Sequence, residues 1–432
     1  MRARTPFVIV RILTILSVAL MLSQFYRSVM AVIAPELSRE VGLSSSQLGV
    51  LSASFFVAFG LMQVPVGVLL DRFGQRRTIT ITLLAAMAGA LWFWLGRGFA
   101  DLTVARALMG VGCSAVFMGL LVTCSRWISP ARFGTASSFF AAIGGLGVLL
   151  ATTPFVALQT AVGWRGAFLI IGLVTGVTAL SIWLWVKDAP PEHPLHDQPR
   201  ESLKNVLRGV GEVMSNRQLP YILAIAFTGY SSVISVLGLW GGPYLDAVFG
   251  LTGIARGNVL FAMAACMISG NALFGLLDHA IRDRKRLMLV AGFLNATVFM
   301  TLAAVPGLAL WQVTVLLMVL ALANGYAALN YAQVRLLFPE HMIGRALTAV
   351  NLFVFLGAAF MQTASGFLVH GLSNLGATPG IAYRAVFGML AGLLVIALLT
   401  YSRFRVPTAI PLPEAASSRV TPTGDHGWHG ES

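Results

Sequence analysis

Most of this chain is built from apolar runs of about twenty residues, each long enough to cross a hydrocarbon layer as a helix. The runs fall at 10–34, 47–70, 78–96, 102–125, 135–160, 166–186, 219–247, 256–277, 287–305, 311–334, 345–370 and 382–402. A chain of this kind has few options. Within a membrane every backbone N–H and C=O must be paired internally, so the choice is between helices and a closed barrel. Barrel strands would be short segments of alternating polarity, and these runs are long and uniformly apolar. The expected fold is therefore an all-α membrane protein of twelve transmembrane helices. Composition agrees: hydrophobic residues are 57% and charged residues 10%, against about 25% charged in soluble proteins. Such a chain cannot cover a water-facing surface, and soluble, collagen-like, disordered and disulfide-scaffold folds are excluded.

The formal net charge of +13 need not mean nucleic acid as a partner. The basic residues sit in short segments between apolar runs, where they set orientation. Apart from Arg27, Arg39, Arg97, Arg106, Arg165, Arg256 and Arg384, every Lys and Arg falls on the side of the N-terminus. That bias predicts cytoplasmic termini; the short outer loops and the lack of an exposed glycosylation sequon point to a bacterial inner (plasma) membrane. Arg2, Arg4 and Arg11 ahead of the first run resemble a signal peptide, but without a small-residue cleavage site the segment reads as a retained first helix. The lysines are Lys187, Lys204 and Lys285, and none ends a Walker-type phosphate loop. Cys113, Cys124 and Cys266 lie in apolar runs without ligand spacing, and the histidines are scattered. Neither a metal, a cofactor nor a catalytic constellation is expected, and the chain is not read as an enzyme.

The runs divide into an N-terminal six-helix bundle (1–186), a cytoplasmic linker (187–217), a C-terminal six-helix bundle (218–405) and a disordered cytoplasmic tail (406–432). The linker opens Lys187-Asp188-Ala189-Pro190-Pro191, and the tail is rich in Pro, Ser, Thr and Gly. The bundles echo one another. Pro35-Glu36-Leu37, Gly42-Leu43-Ser44 and Gly49 return at constant spacing as Pro243-Tyr244-Leu245, Gly250-Leu251-Thr252 and Gly257. Asp71 with Arg76-Arg77 returns as Asp278 with Arg284-Lys285-Arg286, and Trp164-Arg165 as Tyr383-Arg384. Parallel repeats of this kind place a substrate near the midplane, between the halves.

Gly67-Val68-Leu69-Leu70-Asp71-Arg72-Phe73-Gly74-Gln75-Arg76-Arg77 joins the second and third runs. It resembles the signature loop of the major facilitator superfamily, with Gln75 where a basic residue is common. Gly67 is expected to allow close helix approach. Asp71 is expected near the N-terminus of the third span, where free N–H groups favour a carboxylate. The resemblance implies a gating role for Gly67, Asp71, Arg72, Gly74, Arg76 and Arg77, with Asp278 as a weaker copy. Arg106-Ala107-Leu108-Met109-Gly110-Val111-Gly112 is similar to the superfamily's fourth-span pattern. Gly144-Gly145-Leu146-Gly147 with Thr152-Thr153-Pro154 only partly resembles an antiporter signature, and close packing is the competing explanation.

Arg27, after Phe25-Tyr26 and eight residues before Pro35, resembles the first-span arginine of organophosphate and organic-anion permeases. No acidic residue is expected at a span centre, so this guanidinium lacks an obvious partner and suits a carboxylate or phosphate. Snorkelling to the interface is the alternative. A second arginine, which the resemblance places in the seventh span, would fall at Ser235. Candidate substrate contacts are Arg27, Tyr26, Arg106, Ser231, Ser235, Asn324, Tyr331, Asn351 and Gln362; a Ser, Asn, Gln or Tyr alone at such a position more often makes an interhelical hydrogen bond. Phe55, Phe56, Phe59, Tyr230 and Trp240 are able to flank a ring-bearing solute.

The expected function is secondary transport of a small organic anion by a rocking motion of the two halves. Partners are then the small-molecule substrate, the lipid bilayer and a coupling ion or exchanged anion, with the protein a monomer. Two alternatives stay open: uptake of a neutral aromatic nutrient such as a vitamin, or efflux of a metabolite or drug. A different class is a transporter-like sensor or a scaffold in a membrane complex.

Overall fold

The computed structural model describes residues 5–189, 203–281 and 283–405. The described residues are helical, with no strand among them. The helices are α1 (Thr5–Ser28), α2 (Met30–Glu40), α3 (Ser45–Leu61), α4 (Gln63–Leu95), α5 (Phe99–Cys113), α6 (Val116–Trp127), α7 (Pro130–Leu150) and α8 (Thr153–Trp185). After α9 (Leu203–Met214) come α10 (Leu219–Ser235), α11 (Gly241–Phe249), α12 (Gly253–Ala280), α13 (Arg284–Ala304), α14 (Leu310–Ala323), α15 (Leu329–Arg335), α16 (Glu340–Asn374) and α17 (Pro379–Ser402). Among the described residues, ten helical segments are long and apolar enough to cross a membrane, and Ser45–Leu61 and Phe139–Leu150 are shorter apolar helices.

Local sequence accounts for the ends. Ser44 and Gln47 form a reciprocal capping box that starts α3. Proline opens α7 and α17, where its missing N–H costs nothing. Gly250 ends α11 in the left-handed conformation. Large apolar side chains such as Ile81, Val177, Leu276 and Ile396 are exposed on α4, α8, α12 and α17. In water that surface would be a liability; in a bilayer it is the lipid-facing one.

The last expected run is crossed by a single helix, but others, the first among them, are interrupted. The chain turns at Val29 between α1 and α2 and at Ser114–Ala115 between α5 and α6. A π-helical turn, Val236–Trp240, joins α10 to α11, and a 3₁₀ turn, Asn324–Ala328, joins α14 to α15. Irregular backbone at membrane depth is tolerated where it is buried in protein or lines a cavity. These four breaks therefore mark the interior. The halves meet where α3 runs along α16, α2 packs on α11, and α7 and α8 pack on α12.

The part of the linker nearest the second bundle is helical, as α9, and rests on α16. Residues 190–202 and the tail 406–432 lie outside the described residues.

Candidate functional site

Tyr26 and Arg27 are neighbours on α1 and point to different places, as one residue turns a helix by about 100°. Tyr26 is fully buried inside its own half, its hydroxyl paired with Thr175 Oγ1 at 2.9 Å. Arg27 faces the seam between halves. Its guanidinium carbon lies 4.9 Å from the Phe59 ring centre on α3 and 5.0 Å from that of Phe355 on α16. The two rings are themselves 4.4 Å apart. Arg27 Nε is buried with no hydrogen-bond partner, and among the described residues no Asp or Glu pairs with this arginine. The charge of Arg27 reaches Cys113 at the α5 break and Tyr331 on α15. Tyr331 donates its hydroxyl hydrogen to Asn351 Oδ1 at 2.6 Å and also feels Tyr230 on α10. Five helices from both halves thus bring a cation, two phenyl rings, two phenols and an amide together.

Arg106 belongs to the wall of this place. It is 0% exposed, donates from Nη1 to Tyr26 O at 2.7 Å and lies 4.8 Å from the Phe55 ring centre. The break at Val29 leaves the Tyr26 carbonyl available, and Arg106 pairs with it. Phe55 and Phe59 stack at 6.0 Å on α3, so the two arginines lie along one aromatic ladder. The two serines are engaged with backbone carbonyls of their own half. Ser231 Oγ donates to Val354 O at 2.9 Å and Ser235 Oγ to Ser231 O at 2.7 Å, both fully buried. Asn324 is buried in the 3₁₀ turn with Oδ1 unpartnered, and Gln362 is buried with both amide atoms unpartnered. Trp240 bonds Ser365 Oγ at 2.6 Å.

At the end of the bundle that carries residues 30–45, the halves are joined by charge. Arg39 Nη2 donates to both oxygens of Asp246, at 2.6 and 2.5 Å. Arg256 is 0% exposed and donates to Glu36 Oε1 at 2.6 Å, Val32 O at 3.0 Å and Asp246 Oδ1 at 3.4 Å. Two cations and two carboxylates, one of each from each half, form this latch. The sequence reading missed it as a unit. Part of its signal is in the sequence, where Arg39 and Arg256 are among the few basic residues off the side of the N-terminus. The backbones also close tightly here. A Cβ on Gly242 of α11 would stand 1.6 Å from Ala31 O of α2. Gly242→Val is therefore expected to fold but to keep this end from closing, cutting transport at least tenfold. Flux at normal membrane abundance is the check.

The loop at 67–77 departs from expectation in two respects. A Cβ at Gly67 would meet open space, so no close helix approach depends on Gly67 in this conformation. The break in α4 comes at Gly74, with φ 77 and ψ 167, backbone that is essentially restricted to glycine. Asp71 precedes that break. The carboxylate found on the first N–H groups after it is Asp188, whose Oδ1 accepts from Arg76 N at 2.8 Å. Gln75 is buried and donates to the Asp188 carbonyl, while its Oε1 accepts from Arg126 Nη1 at 3.0 Å. A basic residue in place of Gln75 would face Arg126, which gives the departure from the superfamily pattern a physical reason. Arg76 donates to Trp183 O at 2.7 Å and stacks on that ring; Arg72 lies over Phe73, and Arg77 is exposed. Asp278 accepts from Arg284 Nη2 at 3.0 Å and from its Nε, inside its own half. In the partial antiporter-like segment, a Cβ at Gly147 would stand 2.1 Å from Met21 O, so that glycine serves close packing of α7 on α1.

Known proteins fit this architecture. The chain is 22% identical over 405 residues to a probable galactarate/D-glucarate transporter, GudP, of Bacillus subtilis (strain 168), covering 86% of this chain and 88% of that one. It is 23% identical over 414 residues to a probable galactarate/D-glucarate transporter, GarP, of Escherichia coli (strain K12), covering 86% and 90%. Among solved structures, a bacterial homolog of the human lysosomal transporter Spinster, inward-facing and occupied, superposes with a TM-score of 0.72 at 18% identity, covering 91% of this chain and 96% of that one. A D-xylose–proton symporter gives 0.71 at 16% identity, covering 92% and 98%. The sequence profile described as Major Facilitator Superfamily matches residues 16–325, and the chain belongs to that superfamily of membrane transporters.

Proposed function

We propose that this protein is a secondary transporter of a small organic anion, with Arg27 as the anion contact and the two halves rocking about it. One observation carries the reading. A guanidinium sits at the seam of the halves, between two phenyl rings, and among the described residues no carboxylate pairs with it. A cation in so apolar a place is costly unless paired, and a substrate carboxylate completes the pair with charge-assisted hydrogen bonds. Relatives named for sugar diacids along most of the chain support an anion. Tyr331 and Asn351 are the further substrate contacts we assign. Arg106, Tyr26, Ser231 and Ser235, engaged within their halves, shape the site from behind.

The charge bias puts the termini and the 67–77 loop in the cytoplasm, with twelve crossings once α4 and α8 are divided at Gly74 and Gly163, the two glycines with non-helical backbone inside them. The Arg39–Asp246 and Arg256–Glu36 latch then lies outside, and the conformation is closed to the exterior. The 67–77 loop is the inner gate, and substrate crosses when one latch opens as the other closes.

Counterflow in vesicles tests this. Vesicles loaded with an organic carboxylate should take up the same labelled compound in a saturable way. If the carboxylates and phosphates tried give none, while a neutral solute is exchanged, the anion assignment fails.

A further inference from the structure

The wall around Arg27 narrows the choice of anion. The guanidinium is held face-on by Phe59 and Phe355, and Phe56 stacks behind Phe355 with ring centres 6.4 Å apart. Polar groups are few. Tyr331 spends its hydroxyl hydrogen on Asn351, and Tyr230 is the other phenol within electrostatic reach of Tyr331. The second cation, Arg106, is sealed: it is fully buried, tied to the Tyr26 carbonyl and covered by Phe55.

A polyhydroxy diacid is poorly matched to such a wall. One carboxylate would find Arg27, but the other would be desolvated without a cation, and the hydroxyls would face phenyl rings. Each buried polar group left unpaired is costly, and sites discriminate strongly on that basis. A single carboxylate on an apolar body leaves nothing unpaired. Its charged end takes the guanidinium fork, and its body takes the rings.

We propose that the site at Arg27 selects a monoanionic carboxylate with a compact apolar or aromatic body, and that Phe59 and Phe355 set this preference. The proposal rests on the anion reading above and goes one step further.

Thermal shift on purified full-length protein separates the two. A ligand that binds only the folded state raises the melting temperature by an amount that grows with the logarithm of its concentration over its Kd. The probes are benzoate, cyclohexanecarboxylate, benzamide, gluconate and galactarate. Benzoate or cyclohexanecarboxylate should stabilise at concentrations at least tenfold lower than gluconate or galactarate need, and benzamide should not. Arg27→Gln should abolish the effect, and Phe355→Leu should weaken it about tenfold while the unliganded melting temperature is nearly kept. Gluconate or galactarate stabilising as well as benzoate, with Arg27→Gln removing the effect, would overturn the proposal and leave the anion reading standing. Benzamide matching benzoate would overturn both. No shift with benzoate or cyclohexanecarboxylate would overturn the proposal.

Discussion

Arg27→Ala is expected to lower anion counterflow about a hundredfold and to leave the folded protein intact. Hydrogen bonds to a charged group contribute about 1.5–3 kcal/mol, and a carboxylate left without its cation loses more than the bond alone. At about 1.4 kcal/mol per tenfold, a hundredfold loss follows. The same change should hold or raise the melting temperature. In the free protein Arg27 has an unpartnered Nε and, among the described residues, no carboxylate paired with it, so removing it relieves a cost. Activity down with stability level or up is the signature of a binding residue. A structural arginine would show the opposite, with melting temperature and flux falling together. Arg27→Lys should keep part of the flux, since charge survives while the planar fork is lost.

The second large effect is expected at the latch. Arg256 is wholly buried among Glu36, Asp246 and the Val32 carbonyl. Breaking a buried charge cluster by removing one partner costs about 3–5 kcal/mol. Because these partners lie on different halves, the loss falls on the closed arrangement of this end and not on either bundle. A shift of about 3 kcal/mol moves a two-state equilibrium more than a hundredfold. Arg256→Met should therefore open the latched end. Ala34, fully buried close to the latch, offers a reporter. With the native cysteines replaced, Ala34→Cys should be nearly inert to a membrane-impermeant maleimide. Adding Arg256→Met should speed labelling at least tenfold. Equal labelling in both backgrounds would remove the latch from the account.

The apolar helices were legible because burial in lipid demands long apolar runs, and among the described residues ten helical segments are long and apolar enough to cross a membrane. The interruptions were not legible. Nothing in the local sequence marks Val29 or Ser114, since the partners that stabilise a broken helix, such as Arg106 for the Tyr26 carbonyl, lie far along the chain. The site was legible in its charge and blurred in its neighbours. Arg27 stood out because an arginine in an apolar run is rare and costly. Tyr26 beside it turns inward to Thr175, and helical phase alone does not say which of two adjacent residues meets the seam. Ser231 and Ser235 have the polarity of ligand contacts, yet a serine in a helix readily bonds a backbone carbonyl, and both do. Asp188 illustrates the same limit. It caps the helix after Gly74, a role that the sequence pattern suggested for Asp71, because the end of α8 folds back beside that loop.

The most direct measurement is an experimental structure with the best-stabilising anion bound. The account predicts carboxylate oxygens within hydrogen-bond distance of the Arg27 guanidinium, between the halves and beside Phe59 and Phe355. A ligand seated elsewhere, with Arg27 still flanked only by phenyl rings, would contradict it.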